Sequence, residues 1–245
     1  MTKTAPTRAM VLAAGRGQRM RPISDRLPKP LVEIQARSLI DRVLDRLQAA
    51  GVTEVVVNLH HLGDQLRAHL DQRSDVAITY SPEAELLETG GGLVQALPLL
   101  DADPFYAVNG DVLWLDGARP ALQRLAEAWD PERMDALLLL QPTVTAFGYE
   151  GMGDFRMAPG GELSLRPERE PAPFVFSGIQ LLSPRLFAGR KAEPFRLITL
   201  YRQAVQSGRL FGLRHDGLWF HVGRPEDIAT TEEALEELGF HRPAA

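Results

Sequence analysis

The sequence predicts an α/β fold in which helices flank a doubly wound, mostly parallel sheet, and three observations lead to this prediction. Short apolar segments typical of buried strands alternate with segments of helical spacing throughout residues 1–141. Each helical segment is long enough to cross over between parallel strands, and such crossovers are right-handed. After Gln141, proline, glycine and charged residues become frequent, so we expect a smaller β-rich lobe there.

The elements follow from these patterns in chain order. The apolar run Ala9–Ala13 is the first strand, and a helix capped by Ser38 continues at helical spacing until Gly51. The rest of the first part alternates between strands and helices: strand Glu54–Leu59, helix Leu62–Leu70, strand Val76–Tyr80, helix Gly91–Leu97, strand Phe105–Val108, helix Pro120–Trp129 and strand Ala136–Leu140. The second part contains four strands and a last helix: Asp154–Met157, Glu162–Leu165, Phe174–Leu182, Leu210–Leu213 and Pro225–Leu238.

Length and composition narrow the class of protein. The chain has 245 residues, 44% of them hydrophobic, with no cysteine and a net charge of -5. No repeat or long linker divides it, so we expect a single domain over residues 1–245, made of residues 1–141 and 142–245. The absence of cysteine excludes disulfides and thiolate metal sites. The acidic balance argues against nucleic acid and membrane partners, and no apolar run approaches the roughly 20 residues that span a bilayer, so a cytoplasmic protein is expected.

The strongest local signal is the segment LAAGRGQRMRP, which directly follows the first strand. Its glycines let the backbone approach an anion, although the pattern lacks the third glycine of a dinucleotide fingerprint and the ending of a P-loop. Arg16, Arg19, Arg21 and Lys29 place four cations close together. Lys29 lies between two prolines, on a stiff segment. A plain turn and a solvated lysine would each explain one feature; the combination favours an anion site.

Together, LAAGxGxRMRP and LPKPL resemble the sugar-1-phosphate nucleotidyltransferases. Further motifs, NLHHLGDQL, YSPE, LLETGGG, VNGDV, GDF and FSGI, occur in the order typical of one branch, the N-acetylmuramate-1-phosphate uridylyltransferases of peptidoglycan recycling. The mannose-1-phosphate guanylyltransferases share the first motifs and remain an alternative. The resemblance implies a Rossmann-like, mixed sheet with a sugar-binding lobe, and no C-terminal β-helical domain.

The resemblance also implies the reaction and the roles of individual residues. A nucleoside triphosphate, expected to be UTP, would react with a sugar 1-phosphate, expected to be N-acetylmuramate 1-phosphate, to give a nucleotide sugar and pyrophosphate. The implied catalytic residues are Arg19, Lys29 and Asp111. The implied nucleotide-binding residues are Leu12, Ala13, Ala14, Gly15, Arg16, Gly17, Glu83, Thr89, Gly90, Gly91 and Asn109. The implied sugar-phosphate residues are Asn58, Asp154, Ser177 and Gly178.

Several of these roles have alternatives that the residues leave open. Asn58 could equally cap its strand, and Glu83 or Glu88 could orient the loop instead of contacting the base. The glycines of TGGG would leave amides free at a helix N-terminus. His60 and His61 are expected to be ordinary packing or surface histidines.

The metal site is where the sequence departs from the family. Asp111 follows a strand and suits Mg²⁺, the expected cofactor, which binds through one or two carboxylates plus phosphates. In the segment WFHVGRPE, however, His221 replaces the second magnesium aspartate of the family and Arg224 replaces a threonine. Three interpretations follow: Asp111 and phosphates alone hold the metal, which we favour; the site prefers Mn²⁺ or another divalent metal; or the enzyme is weak.

Two further points concern the substrates and the rival functions. The family lysine that holds the sugar phosphate is not evident, and Arg166, Arg169 or Arg196 could replace it. A phosphate monoester is largely dianionic at neutral pH, so its attack needs no general base. A non-catalytic nucleotide- or sugar-sensing homologue is the rival, and the missing third glycine disfavours a dinucleotide-dependent oxidoreductase. We expect a monomer or a small homo-oligomer.

Overall fold

The computed structural model describes residues 5–240. In chain order, the strands are β1 (Arg8–Leu12), β2 (Glu33–Ile34), β3 (Arg37–Ser38), β4 (Glu54–Leu59), β5 (Ala77–Pro82), β6 (Phe105–Asn109), β7 (Leu113–Leu115), β8 (Ala136–Pro142), β9 (Ala146–Phe147), β10 (Phe155–Met157), β11 (Leu163–Leu165), β12 (Phe174–Leu182), β13 (Leu210–Arg214) and β14 (Leu218–Phe220). The α-helices are α1 (Leu39–Ala49), α2 (Gly63–Leu70), α3 (Glu88–Leu100), α4 (Ala121–Ala128), α5 (Ile198–Gln206) and α6 (Glu226–Glu237).

Nine strands form one mixed sheet. Its main order is β5-β4-β1-β6-β12-β8-β13, and the first four of these strands run parallel to one another. β12 is antiparallel to both β6 and β8, whereas β13 is parallel to β8. The β10-β11 hairpin joins the sheet where β12 begins, with Phe155 opposite Phe174. The predicted α/β class is therefore confirmed, and its four-stranded parallel part lies in the first half of the chain.

Both faces of the sheet are covered by helices. In β1, Ala9 and Val11 point to the face packed by α1, α2 and α4, while Met10 points to the face packed by α3 and α5. Ser38 caps α1 by accepting a hydrogen bond from the Asp41 amide. Burial on both faces explains why the strands are continuous apolar runs, since each buried aliphatic side chain contributes roughly 1.5–3 kcal/mol.

A third apolar cluster fastens the glycine-rich turn to the C-terminal part. Met20, which follows the turn, is fully buried together with Ile34, Phe220 and Leu235. The packing therefore holds the segment around residues 15–22 against β14 and α6. No helix in residues 5–240 is both long and apolar enough to cross a membrane.

The structure adds elements that the sequence pattern did not predict. α5 has a buried face of Leu200, Tyr201 and Ala204 at helical spacing, a signal that was present but overlooked. The small strands β2, β3, β7, β9 and β14 contain only two or three residues each. β2 and β3 form a local hairpin, whereas β14 pairs with the distant strands β7 and β9. α3 begins at Glu88, three residues before the predicted Gly91.

Candidate active site

The carboxyl ends of two neighbouring parallel strands bring the segments of the predicted catalytic residues together. The glycine-rich turn follows β1, Asp111 follows β6, and these strands pair in register from Ala9 to Leu12. The Lys29 Nζ atom lies 2.6 Å from Asp111 Oδ2. The Lys29 side chain is 14% exposed, so its ammonium group is held in a partly dry ion pair. Gly17 adopts φ +57°, and a Cβ there would lie 3.1 Å from Lys29 Cβ, so glycine lets the turn approach the lysine.

A cleft runs from the glycine-rich turn past Asp111. One part, of about 400 Å³, is lined on its turn side by Gly15, Arg16, Gly17, Gln18 and Arg19, with Lys29, Glu88 and Asp111 also in its wall. A neighbouring part of about 200 Å³ contains Leu12, Ala14, Asn109 and Thr89. The structure thus places most of the predicted nucleotide residues along one continuous surface with positive groups at its turn end.

Asn58 and Glu83 form a buried link beneath this surface. Asn58 is 3% exposed and Glu83 5% exposed. Asn58 Oδ1 accepts a hydrogen bond from the Ala13 amide at 2.7 Å, and Asn58 Nδ2 donates to Glu83 Oε1 at 2.7 Å. Glu83 Oε2 accepts from the Leu87 amide at 2.8 Å. Both side chains therefore connect β1, β4 and the start of α3, which agrees with the orienting roles that the sequence left open.

The glycines of TGGG serve close packing. Gly90 and Gly91 are buried, and their amides donate to the Phe195 carbonyl. The sequence predicted that these amides would be free, whereas the structure shows them paired within the protein. A Cβ at Gly90 would lie 2.2 Å from the Phe195 ring, and one at Gly91 would lie 2.1 Å from the Glu193 carbonyl oxygen. Thr89, in contrast, lines the cleft, and its Oγ1 accepts a hydrogen bond from the Leu197 amide.

A larger cavity of about 660 Å³ opens where the β-rich lobe meets α5. It shares Leu12, Thr89 and Asn109 with the nucleotide part of the cleft. The predicted Asp154 lines this cavity; its Oδ2 accepts a hydrogen bond from the Phe176 amide, and desolvation raises the pKa of the carboxyl group. The structure thus brings Asp154 to a space next to the residues that the sequence predicts to bind the nucleotide.

The other predicted sugar residues have structural contacts. The Ser177 hydroxyl is buried and donates to the Leu139 carbonyl at 2.8 Å, and the Ser177 carbonyl accepts from Trp219 Nε1. Gly178 has φ +84°, and a Cβ there would lie 2.9 Å from Asn109 Nδ2. Gly178 therefore makes room for the Asn109 side chain, which reaches the cleft.

Three arginines line the larger cavity, and only two of them were candidates from the sequence. Arg166 and Arg196 are present in its wall, whereas Arg169 is not among its lining residues. Arg202, together with Tyr201, lines the same cavity from α5. The helical spacing of residues 198–206 was the signal that could have found them, since it places positions 198 and 202 on one face.

His221 lines the same cavity as Arg19, Lys29 and Asp111. Its ring packs against Trp219 and Tyr149, with centroid separations of 5.9 and 6.0 Å. Burial above all, and then the charges of Arg19 and Lys29, lower the pKa of the imidazole, so the ring is neutral at neutral pH. Asp227 Oδ2 accepts hydrogen bonds from the amides of Gly223 and Arg224, which fixes the loop that follows His221.

The residues around Asp111 offer few ligands for a divalent metal. Asp111 and His221 line one cavity of about 200 Å³ together with Arg19 and Lys29. Within the described range 5–240, no group of three or more histidine or acidic residues could hold a metal ion. One carboxylate fits Mg²⁺ if phosphate oxygens complete the shell, but a neutral imidazole is better suited to transition metals.

The comparisons with known proteins agree with this geometry. Residues 9–148 match the family model described as a MobA-like NTP transferase domain. The chain is 41% identical over 238 residues to N-acetylmuramate alpha-1-phosphate uridylyltransferase of Caulobacter vibrioides, covering 95% of this chain and 98% of that protein. It is 42% identical over 221 residues to the protein of that name from Neisseria meningitidis serogroup B, covering 88% and 93%.

The fold also agrees with that of a solved nucleotidyltransferase. A UDP-glucose pyrophosphorylase complexed with UDP-glucose superposes with a TM-score of 0.76 at 16% identity, covering 95% of this chain and 99% of that one. At this low identity the likeness concerns the fold alone. The family match spans more than half of the sequence and the two curated relatives span nearly all of it, so the chain belongs to the MobA-like NTP transferase family and is a nucleotidyltransferase.

Proposed function

We propose that the enzyme transfers a uridylyl group from UTP to N-acetylmuramate 1-phosphate, with release of pyrophosphate. The observation that carries this proposal is that Arg19, Lys29 and Asp111 line the cleft of the glycine-rich turn, which continues into a larger cavity of about 660 Å³. The names of the two curated relatives support the choice of both substrates. A cytoplasmic role in peptidoglycan recycling would follow from these substrates.

The geometry supports an in-line attack of a sugar-phosphate oxygen on the α-phosphorus of the nucleotide. The bond between the α-phosphorus and the bridging oxygen breaks as the new P–O bond forms, and the electron pair leaves with pyrophosphate. The attacking phosphate has a second pKa near 6, so it needs no base. Lys29 would bind the α-phosphate and Arg19 the leaving pyrophosphate, because fixed cations stabilise charge that develops in the transition state.

A divalent cation would be held by Asp111 and the phosphate oxygens of the substrates. When bound, it would neutralise phosphate charge. Asp111 lies 2.6 Å from Lys29 and lines the same cleft as the glycine-rich turn, which supports this role. We propose Mg²⁺ as the cation, since one carboxylate plus phosphates matches its preference.

The direct test combines four nucleoside triphosphates with several sugar 1-phosphates, with Mg²⁺ and then with Mn²⁺, and measures pyrophosphate release and the mass of the product. We expect turnover with UTP and N-acetylmuramate 1-phosphate. Lys29→Ala should abolish most of it, whereas Lys191→Ala, an exposed lysine outside the cleft, is the matched control. Nucleotide binding without turnover under either metal would instead support the sensing homologue.

A further inference from the structure

The wall of the larger cavity contains more arginines than acidic side chains. Its wall contains Arg166, Arg196 and Arg202, together with the acidic residues Glu88 and Asp154. The remaining lining residues include the apolar side chains Leu165, Phe176, Leu197 and Ile198. A ligand for this space is therefore expected to offer both apolar groups and negative charge, since binding sites combine an apolar wall with a few placed polar groups.

Two of the three arginines already have neighbours that occupy or offset their charge. The Arg196 guanidinium lies 3.9 Å from Glu88. One terminal nitrogen of Arg166 donates to the carbonyls of Pro167 and Glu170, and the charge of Arg166 acts on nearby Asp154. These contacts hold both side chains at the rim of the cavity.

Arg202 differs from both. Its side chain is exposed and has no hydrogen bond, ion pair or ring contact with any residue in the described part of the chain. It lies four positions after Ile198 on α5, so these two side chains share the helix face that lines the cavity. Tyr201, the residue before it, is buried and donates to Gln180 Oε1 at 2.5 Å, which fixes the helix against β12.

We propose that Arg202 binds a carboxylate carried by the sugar and so selects an acidic sugar 1-phosphate. The proposal rests on the proposed function and assigns the substrate preference to one residue of that site. N-acetylmuramate differs from N-acetylglucosamine by a lactyl ether, which adds one methyl group and one carboxylate. An arginine can bind a carboxylate through two parallel hydrogen bonds, and the apolar wall that includes Ile198 can receive the methyl group.

The test compares two sugar phosphates with the same nucleotide. For Arg202→Gln, the kcat/KM for N-acetylmuramate 1-phosphate should fall by roughly 10- to 100-fold, the effect of losing a charge-assisted contact. The kcat/KM for N-acetylglucosamine 1-phosphate should change little, because that substrate lacks the carboxylate. Arg202→Lys should recover part of the lost discrimination, since it keeps the charge but not the paired hydrogen bonds.

The matched control is Arg214→Gln, which removes the same charge from an exposed arginine outside the cavity and should leave both substrates unaffected. An equal loss for both sugar phosphates in Arg202→Gln, or no loss for either, would overturn the assignment while the proposed function stands. A wild-type enzyme that converts neither sugar phosphate with UTP would remove the proposed function itself.

Discussion

Replacement of Asn58 by alanine tests whether this residue positions the glycine-rich turn or binds the sugar phosphate. The side chain is 3% exposed and makes two hydrogen bonds of 2.7 Å, one from the Ala13 amide and one to Glu83. Asn58→Ala leaves the Ala13 amide without its acceptor. It also leaves the Glu83 carboxylate, 5% exposed, with the Leu87 amide as its partner.

The expected loss of stability follows from these contacts. An unsatisfied buried donor costs about 1–3 kcal/mol, and a hydrogen bond to a charged group contributes about 1.5–3 kcal/mol. The two contributions share one side chain and are not fully additive, so we expect a loss of roughly 3–5 kcal/mol. At about 2–4 °C per kcal/mol for a chain of this size, the melting temperature should fall by roughly 6–20 °C.

Thermal melting followed by circular dichroism, combined with steady-state kinetics, measures both consequences. The KM for UTP should rise because the turn after β1 loses its anchor, while the KM for the sugar phosphate changes little. Gln72→Ala removes an exposed amide that bonds only to the Ala68 carbonyl, and it should melt like the wild type. An Asn58→Ala variant of unchanged stability whose KM rises only for the sugar phosphate would refute the positioning role.

Three other substitutions give separable results. Lys29→Ala should lower kcat by about 10²- to 10³-fold, the usual effect of removing one preorganised charge at the reacting phosphate. Near-normal turnover would contradict its role. Gly90→Ala places a Cβ 2.2 Å from the Phe195 ring and should lower the free energy of unfolding in urea by about 1–3 kcal/mol. Gly15→Ala is the control, because a Cβ there has nothing within 4 Å. Equal stability of the two variants would contradict the packing role of Gly90. His221→Asp adds an oxygen ligand and should tighten Mg²⁺ binding to the UTP complex in calorimetry; the same gain in His221→Asn would mean that the added charge is irrelevant.

The strands that could be predicted are those whose burial produces a continuous apolar run in the sequence. Ala136–Leu140 and Glu54–Leu59 are apolar because helices cover both faces of the sheet, and continuous apolar runs separated by helices imply parallel strands. The direction of β12 was not predictable, because an apolar strand has the same pattern whether it runs parallel or antiparallel. Its antiparallel pairing with β6 depends on the path that the chain takes through the lobe.

The site residues likewise include some that could be predicted from the sequence and some that could not. Lys29 and Asp111 belong to short local motifs, and Asp111 directly follows the strand next to the one that carries the glycine-rich turn, so their proximity could be expected. Asn58 has partners 45 and 25 residues away along the chain and Ser177 has one 38 residues away, and no local pattern reveals which groups will be close. Arg202 was missed because its helix was missed, and an isolated arginine on an amphipathic segment reads as a solvated side chain.

The identity of residue 221 sets the charge of the catalytic end of the cleft. Arg19 and Lys29 contribute two positive charges there, Asp111 contributes one negative charge, and the neutral His221 ring contributes none. An aspartate at position 221 would cancel the remaining positive charge, so the triphosphate would depend more on metal ions for its neutralisation. With histidine, the site itself keeps a positive balance although the whole chain carries -5. Under the proposed function, this balance would let one carboxylate suffice, because Arg19 and Lys29 would supply part of the neutralisation that a metal ion held by two carboxylates would otherwise provide.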